Sequence, residues 1–104
     1  MTPGDLQSLA AAIDAEPDLL HNPHTRATWR LIGHGHAALS AVAPLLSAAQ
    51  PLTRQRAWLV VNTVLAREGD WTPDAPPPFD PLDGDDARRA AAARVWQAWI
   101  AARR

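Results

Sequence analysis

Proline dictates where this chain can be regular. Its ring fixes φ, removes a backbone N–H and pushes the preceding residue out of the helical region. Ten prolines therefore act as punctuation. Five of them fall within DWTPDAPPPFDPLDG at 70–84, which rules out a helix or a central strand there. Between these marks, apolar residues recur at i, i+3, i+4 and i+7, the period of a helix with one buried side. Leu6, Leu9, Ala10 and Ile13 form the first such stripe. Thr2 is its expected cap, with Pro3 at the first helical position. Glu16-Pro17 ends it, and Leu19 and Leu20 follow in a short connector.

Asn22-Pro23 repeats the cap-plus-proline signal and opens a second helix, closed by the glycines of GHG at 33–35. A third stripe, Leu39, Val42, Leu45 and Leu46, runs on to about Ala49. Pro44 lies inside it and predicts a kink near Ser40. Pro51 starts the fourth helix, whose stripe is Ala57, Val61, Val64 and Leu65, with Trp58 on its flank and Gly69 as its stop. The fifth begins at a cap supplied by Asp83 or Asp85 and carries Ala92, Val95, Trp96, Trp99 and Ile100 on one side. Acids at its start and Arg103-Arg104 at its end complement the helix dipole.

The spacing thus predicts an all-α domain over residues 1–104, with helices near 3–15, 23–33, 36–49, 52–68 and 85–103 and no sheet. Composition agrees: 22 of the apolar residues are Ala and few are β-branched, which favours helix over strand. Large apolar side chains are scarce, so the five Trp carry much of the burial. The expected core is Leu39, Val42, Leu46, Val61, Val64, Leu65, Val95, Trp96 and Trp99. The 70–84 segment still holds Trp71, Phe79 and Leu82, which makes it an ordered strap packed on the helices.

There is no Cys, so disulfides and thiolate metal sites are excluded. MTPGDLQSL lacks the basic flank and apolar run of a signal peptide, and no apolar stretch approaches the ~20 residues that span a bilayer. A soluble, cytoplasmic protein without a membrane partner is expected. All ten bases are Arg and the net charge is −1, which gives no global field for nucleic acid. Seven acids and no base occupy 68–86, while five Arg and no acid occupy 87–104.

Few residues suggest chemistry. His21, His24, His34 and His36 cluster in sequence, and a pair of His can share a metal. The second helix, however, separates His24 from His34 by about 15 Å, so solvated turn histidines are the simpler reading and no metal or other cofactor is expected. Asp80, Asp83, Asp85 and Asp86 lack the regular spacing and distal Glu of a calcium loop, and capping accounts for Asp83, Asp85 and Asp86. Ser8, Ser40 and Ser47 are the only serines; none sits in a Gly-x-Ser-x-Gly turn. No catalytic residue is assigned and no enzyme is expected.

Three helix starts look alike: HTRATWRLI at 24–32, LTRQRAWLVV at 52–61 and DARRAAAARVW at 86–96. Arg26 and Arg54 are 28 residues apart, Arg54 and Arg88 34 apart, spacings typical of stacked helical hairpins. TRATWRLIGHGHAALSAVAPLLSAAQPLTRQRAWLVVNTVL resembles the HEAT-like repeat family. Its Arg26 and Arg54 match the first-helix arginine, Gly33 or Gly35 the turn, and Leu39, Leu45 and Leu46 the second-helix core. The resemblance covers residues 24–65 and departs after Leu65, where the strap replaces a second helix. It implies a compact, truncated HEAT-like array that binds through a helical surface. The expected function is a non-catalytic protein-interaction module, a small subunit, adaptor or inhibitor, whose partner is another protein or a copy of itself. The expected contact residues are Arg26, Arg30, Arg54, Arg56 and Trp58. A nucleic-acid accessory protein using the same Arg stripe and a His-cluster metal protein are the alternatives.

Overall fold

Capping and carbonyl accounting decide the helix boundaries. The structure, a computed structural model, describes residues 3–17, 20, 23–69 and 71–103. It comprises α1 (Pro3–Ala11), α2 (Arg26–Gly33), α3 (Ala37–Val42), a 3-10 helix (Ala43–Ser47), α4 (Pro51–Glu68) and α5 (Asp86–Ala102). Among the described residues there is no strand; one isolated antiparallel bridge joins Pro17 to Thr25. The domain is all-α. No described helix is long and apolar enough to cross a membrane.

Three boundaries differ from the sequence expectation, each for a local reason. α2 starts at Arg26 because Thr25, not the Asn22-Pro23 pair, caps it. The Thr25 hydroxyl accepts from the Thr28 N–H at 3.2 Å, and the Thr28 hydroxyl oxygen accepts from the Thr25 N–H at 2.8 Å, a reciprocal capping box. Asn22 and the other expected cap, Thr2, lie outside the described residues, as does Leu19. α1 stops at Ala11, four residues early. The Ile13 carbonyl accepts from the Thr25 hydroxyl at 2.6 Å, and beyond it Glu16 adopts a left-handed φ of 51°.

The third boundary concerns Pro44. In place of the expected kink near Ser40, the α-helix ends at Val42 and passes into the 3-10 helix at Ala43. That helix ends at Ser47, and the Ala48 and Ala49 carbonyls both accept from Arg54 Nη1 at 2.9 Å. The α2–α3 turn needs a glycine at Gly35 because its φ is +61°, a left-handed conformation that a Cβ disfavours.

α4 is the central element. Ala57, Val60, Val61, Val64 and Leu65 are buried against Leu31 and Ile32 of α2, Leu39 and Val42 of α3, Leu46, and Ala93, Trp96 and Ile100 of α5. The core expectation is corrected at Val95, which is 53% exposed. The inward side of α5 is Ala93, Trp96 and Ile100, at i, i+3 and i+7, and Val95 falls off that line. Trp99 is half-buried beside Trp96, their ring centroids 5.3 Å apart.

The strap is ordered because helix side chains satisfy its carbonyls, which proline-rich backbone has few N–H groups to pair. Trp96 Nε1 donates to the Pro77 carbonyl at 2.9 Å, and Arg54 Nε to the Pro81 carbonyl at 2.9 Å. Phe79 is buried, and Arg103 Nη2 meets the Asp74 carboxylate at 2.7 Å. At the strap's end Asp85 caps α5 by accepting from the Arg88 N–H at 3.0 Å.

Asp83 takes another role there, pairing with Arg88 Nε and Nη2 at 2.6 and 2.7 Å. The Arg88 hydrogen bonds, helped by the Asp85 N–H, hold the Asp83 carboxyl down at about 2, against an ordinary value of 3.8. A depressed carboxylate contributes its stabilisation above the unfolded pKa and loses it as pH falls through the folded one. The strap–α5 junction is therefore expected to loosen between pH 3.8 and about 2. Carboxyl-carbon NMR titration checks this. A midpoint for Asp83 near 3.8 would show that the Arg88 contact does not hold in solution.

Candidate protein-interaction face

The arginines expected to line one exposed stripe divide into two groups. Arg54 and Arg56 are each only 4% exposed. Arg54 holds the carbonyls of Pro81, Ala48 and Ala49. Burial pushes its guanidinium pKa down, and the nearby charge of Arg89 adds to that. Arg56 Nε donates to the Pro23 carbonyl at 2.8 Å and Nη1 meets Asp14 Oδ1 at 2.6 Å. The other Asp14 oxygen accepts from the Thr53 hydroxyl at 2.6 Å. These two arginines clasp the chain around the first turns of α4 and offer a partner no open surface. The reason is the place of α4: at the centre of the fold, even its polar side faces neighbouring segments.

Trp58 is half-buried within an aromatic cluster. Its ring meets Trp96, Phe79 and Trp71 edge-on, with centroids 5.0, 5.9 and 6.4 Å away. That geometry suits the quadrupoles of the rings and leaves Trp58 a packing residue. Trp71, at 39% exposed, is the cluster's outer member.

Arg26 and Arg30 stand apart from this. Both are exposed, and among the described residues neither has a hydrogen-bond or ion-pair partner. They lie at i and i+4 on the outer side of α2, with Trp29 beside them at 45% exposed. Trp29 is not loose: its ring stacks on His24, with centroids 4.2 Å apart and planes within 13°. The opposite side of α2, with Ala27, Thr28, Leu31 and Ile32, is buried. A rigid aromatic surface is thus presented next to two unclaimed guanidinium groups.

A seam between α1 and α2 extends this face. One hollow of about 550 Å³ is lined by Asp5, Ser8, Leu9, Arg30, Gly33 and His34. A second, of about 290 Å³, includes Leu9, Glu16, Arg26 and Arg30. Leu9 and Arg30 belong to both, so the hollows form one continuous seam with an apolar floor. Arg30 stands where the two meet and Arg26 in the second, with one acid, Asp5 or Glu16, in each.

The other candidates remain scattered. Among the described residues no group of three or more His, Asp or Glu is placed to hold a metal ion. His24 sits under Trp29, His34 and His36 lie in the α2–α3 turn, and His21 is outside the described residues. The Ser8 hydroxyl donates to the Gly4 carbonyl at 3.0 Å, and Ser47 Oγ accepts from Gln97. The structure thus brings together Arg26 and Arg30, buries Arg54 and Arg56 and packs Trp58 half-buried into the aromatic cluster. It adds Trp29, whose sequence signal was its place between two arginines on an otherwise amphipathic helix. Compared with models of protein families, with curated proteins and with solved structures, the chain matches none.

Proposed function

We propose that this domain is a non-catalytic protein-interaction module of HEAT-like pattern, acting in the cytoplasm as a small subunit or adaptor. Its α1–α2 seam holds an acidic segment of a partner protein. One observation carries the reading: Arg26 and Arg30 are exposed and unclaimed on either side of the exposed Trp29. By contrast Arg54, Arg56, Arg88, Arg89 and Arg103 are all engaged by carbonyls or carboxylates of this chain. Arg and Trp together supply charge-assisted bonds and large apolar area, the composition of interface hot spots. A carboxylate-bearing loop or helix with one apolar side chain on Leu9 fits the seam. Nucleic acid fits less well, because a continuous polyanion laid along the seam meets Asp5 and Glu16, and the net charge of −1 gives no compensating field.

The test compares partner capture by the parent, by Arg26→Glu with Arg30→Glu, and by Trp29→Ala. Truncating hot spots removes about 2 kcal/mol or more of binding, roughly 30-fold in affinity. Both variants are therefore expected to lose the partner. Folding survives, since the side chains are exposed, and Glu at the first helical position suits the dipole. Circular dichroism melting checks that control. Capture at parental strength by both variants would remove the seam from consideration. Capture of nucleic acid alone by the parent, lost on reversal of Arg26 and Arg30, would favour the second reading.

A further inference from the structure

The two walls of the α1–α2 seam carry opposite charge. Asp5, Ser8 and Leu9 of α1 stand across from Arg30, Gly33 and His34. Glu16, beyond the end of α1, shares its hollow with Arg26 and Arg30. The α1 side is thus acidic and the α2 side basic. The helices run antiparallel, with Asp5 at the His34 end and Glu16 at the Arg26 end. Glu16, Arg26 and Arg30 are all exposed. They line one hollow, yet among the described residues none of the three has an ion-pair or hydrogen-bond partner. The seam holds opposite charges too far apart to pair with each other.

Such a seam selects an occupant that bears both signs. One carrying acids alone satisfies Arg26 and Arg30 but sets its charge against Glu16 and Asp5, and one carrying bases alone does the reverse. A surface with an acidic edge and a basic edge, presented in the opposite order, satisfies both walls. The chain owns that surface, because the seam turned over is its own complement. α1 is itself a carboxylate-bearing helix with one half-buried apolar side chain, Leu9, on the seam.

Seam on seam can close about a two-fold axis in two ways. An axis across the helices sets α1 on α1 of the second copy, so that acids meet acids and arginines meet arginines. An axis along the seam sets α1 of each copy on α2 of the other. Glu16 then comes to Arg26 and Arg30 of the other copy, and Asp5 to the end that holds His34. Every helix gains an antiparallel neighbour on each side, the arrangement of a four-helix bundle. The approach is open at Gly33, where nothing lies within 4 Å of the place a Cβ would take. Leu9 and the exposed Trp29 supply apolar area beside the charges.

We infer that the occupant of the α1–α2 seam is a second copy of this chain, docked about a two-fold axis along the seam, with Glu16 of each copy paired to Arg26 and Arg30 of the other. The inference rests on the reading of the seam as a protein-interaction face and names its partner. Each copy supplies the acidic segment that the other holds, so the site is complete only in the pair.

Sedimentation and light scattering of the full chain over a concentration series are expected to show a dimer that weakens as salt screens the pairs. Arg26→Glu with Arg30→Glu should weaken it at least about 30-fold, and Asp5→Arg with Glu16→Arg should do the same. Each double variant presents walls of one sign and repels its own kind. An equimolar mixture of the two should restore a dimer containing one of each, at parental strength or better. Circular dichroism checks the fold of every variant. Should Asp5→Arg melt α1, Glu16→Arg alone takes its place in the mixture, since Glu16 lies outside any helix. A parent that stays monomeric, a dimer indifferent to both reversals, or a mixture of folded variants that stays monomeric would overturn the inference. A monomeric parent whose capture of a foreign protein needs Arg26 and Arg30 would also overturn it while leaving the seam as the interaction face. Capture indifferent to those arginines removes the seam itself.

Discussion

Arg54→Glu combined with Arg56→Glu is expected to unfold the domain, although both residues would read from sequence as surface arginines. Each reversal removes donors from acceptors that the fold holds partly out of water. Without Arg54 the carbonyls of Pro81, Ala48 and Ala49 lose their shared donor, and a buried acceptor left unpaired costs about 1–3 kcal/mol. Without Arg56 the Pro23 carbonyl and Asp14 lose theirs. A new carboxylate is then pressed against these oxygens, and at position 56 against Asp14 itself. Removing one member of a buried charged pair alone costs about 3–5 kcal/mol. Asp14 keeps a side-chain exposure of 47%, so its share falls at the low end of that range. The two changes together still approach the roughly 5–15 kcal/mol total stability of a domain this size. Loss of the cooperative melting transition in circular dichroism is the expected result. A double variant that melts like its parent would place both guanidinium groups in solvent.

The same two residues show which parts of the fold were legible. Helical periodicity identified all five helices, because each apolar stripe is a local pattern that tertiary structure only has to bury. It failed at Val95, where one residue of offset on α5 separates the core side from solvent. Stops made of Gly35 and Gly69 were legible because a left-handed φ is a local demand. The start of α2 was not. The expected Asn22-Pro23 start gave way to Thr25, whose hydroxyl also reaches the Ile13 carbonyl, a contact twelve positions away. The arginines fail for the same reason. Nothing local distinguishes Arg54, whose partners lie up to 27 residues away, from Arg26, which has none among the described residues. The clasp exists only after the strap has folded back over α4, so half of the expected binding stripe became structure.

Trp96→Ala should be the most damaging single truncation. The ring is 1% exposed and lies at the contact of α5, α4 and the strap. Its neighbours Trp58, Trp71 and Trp99 meet it edge-on at 5.0, 5.7 and 5.3 Å, and its Nε1 supplies the donor for Pro77. Deleting a buried Trp side chain costs about 3–5 kcal/mol in transfer and cavity terms, and each edge-on aromatic pair adds about 0.5–1.5 kcal/mol beyond burial. The strap then loses its main anchor, so residues 71–85 should become protease-sensitive before the helices melt. Trp96→Phe separates the contributions. It keeps most of the ring and the edge-on contacts but removes the indole donor, and a single hydrogen bond contributes only about 0.5–1.5 kcal/mol. Chemical denaturation of the three proteins should therefore order them parent, Phe and Ala, with the larger step between Phe and Ala. If the larger step falls between the parent and Phe, the strap is held mainly by the Pro77 hydrogen bond and the aromatic cluster is secondary.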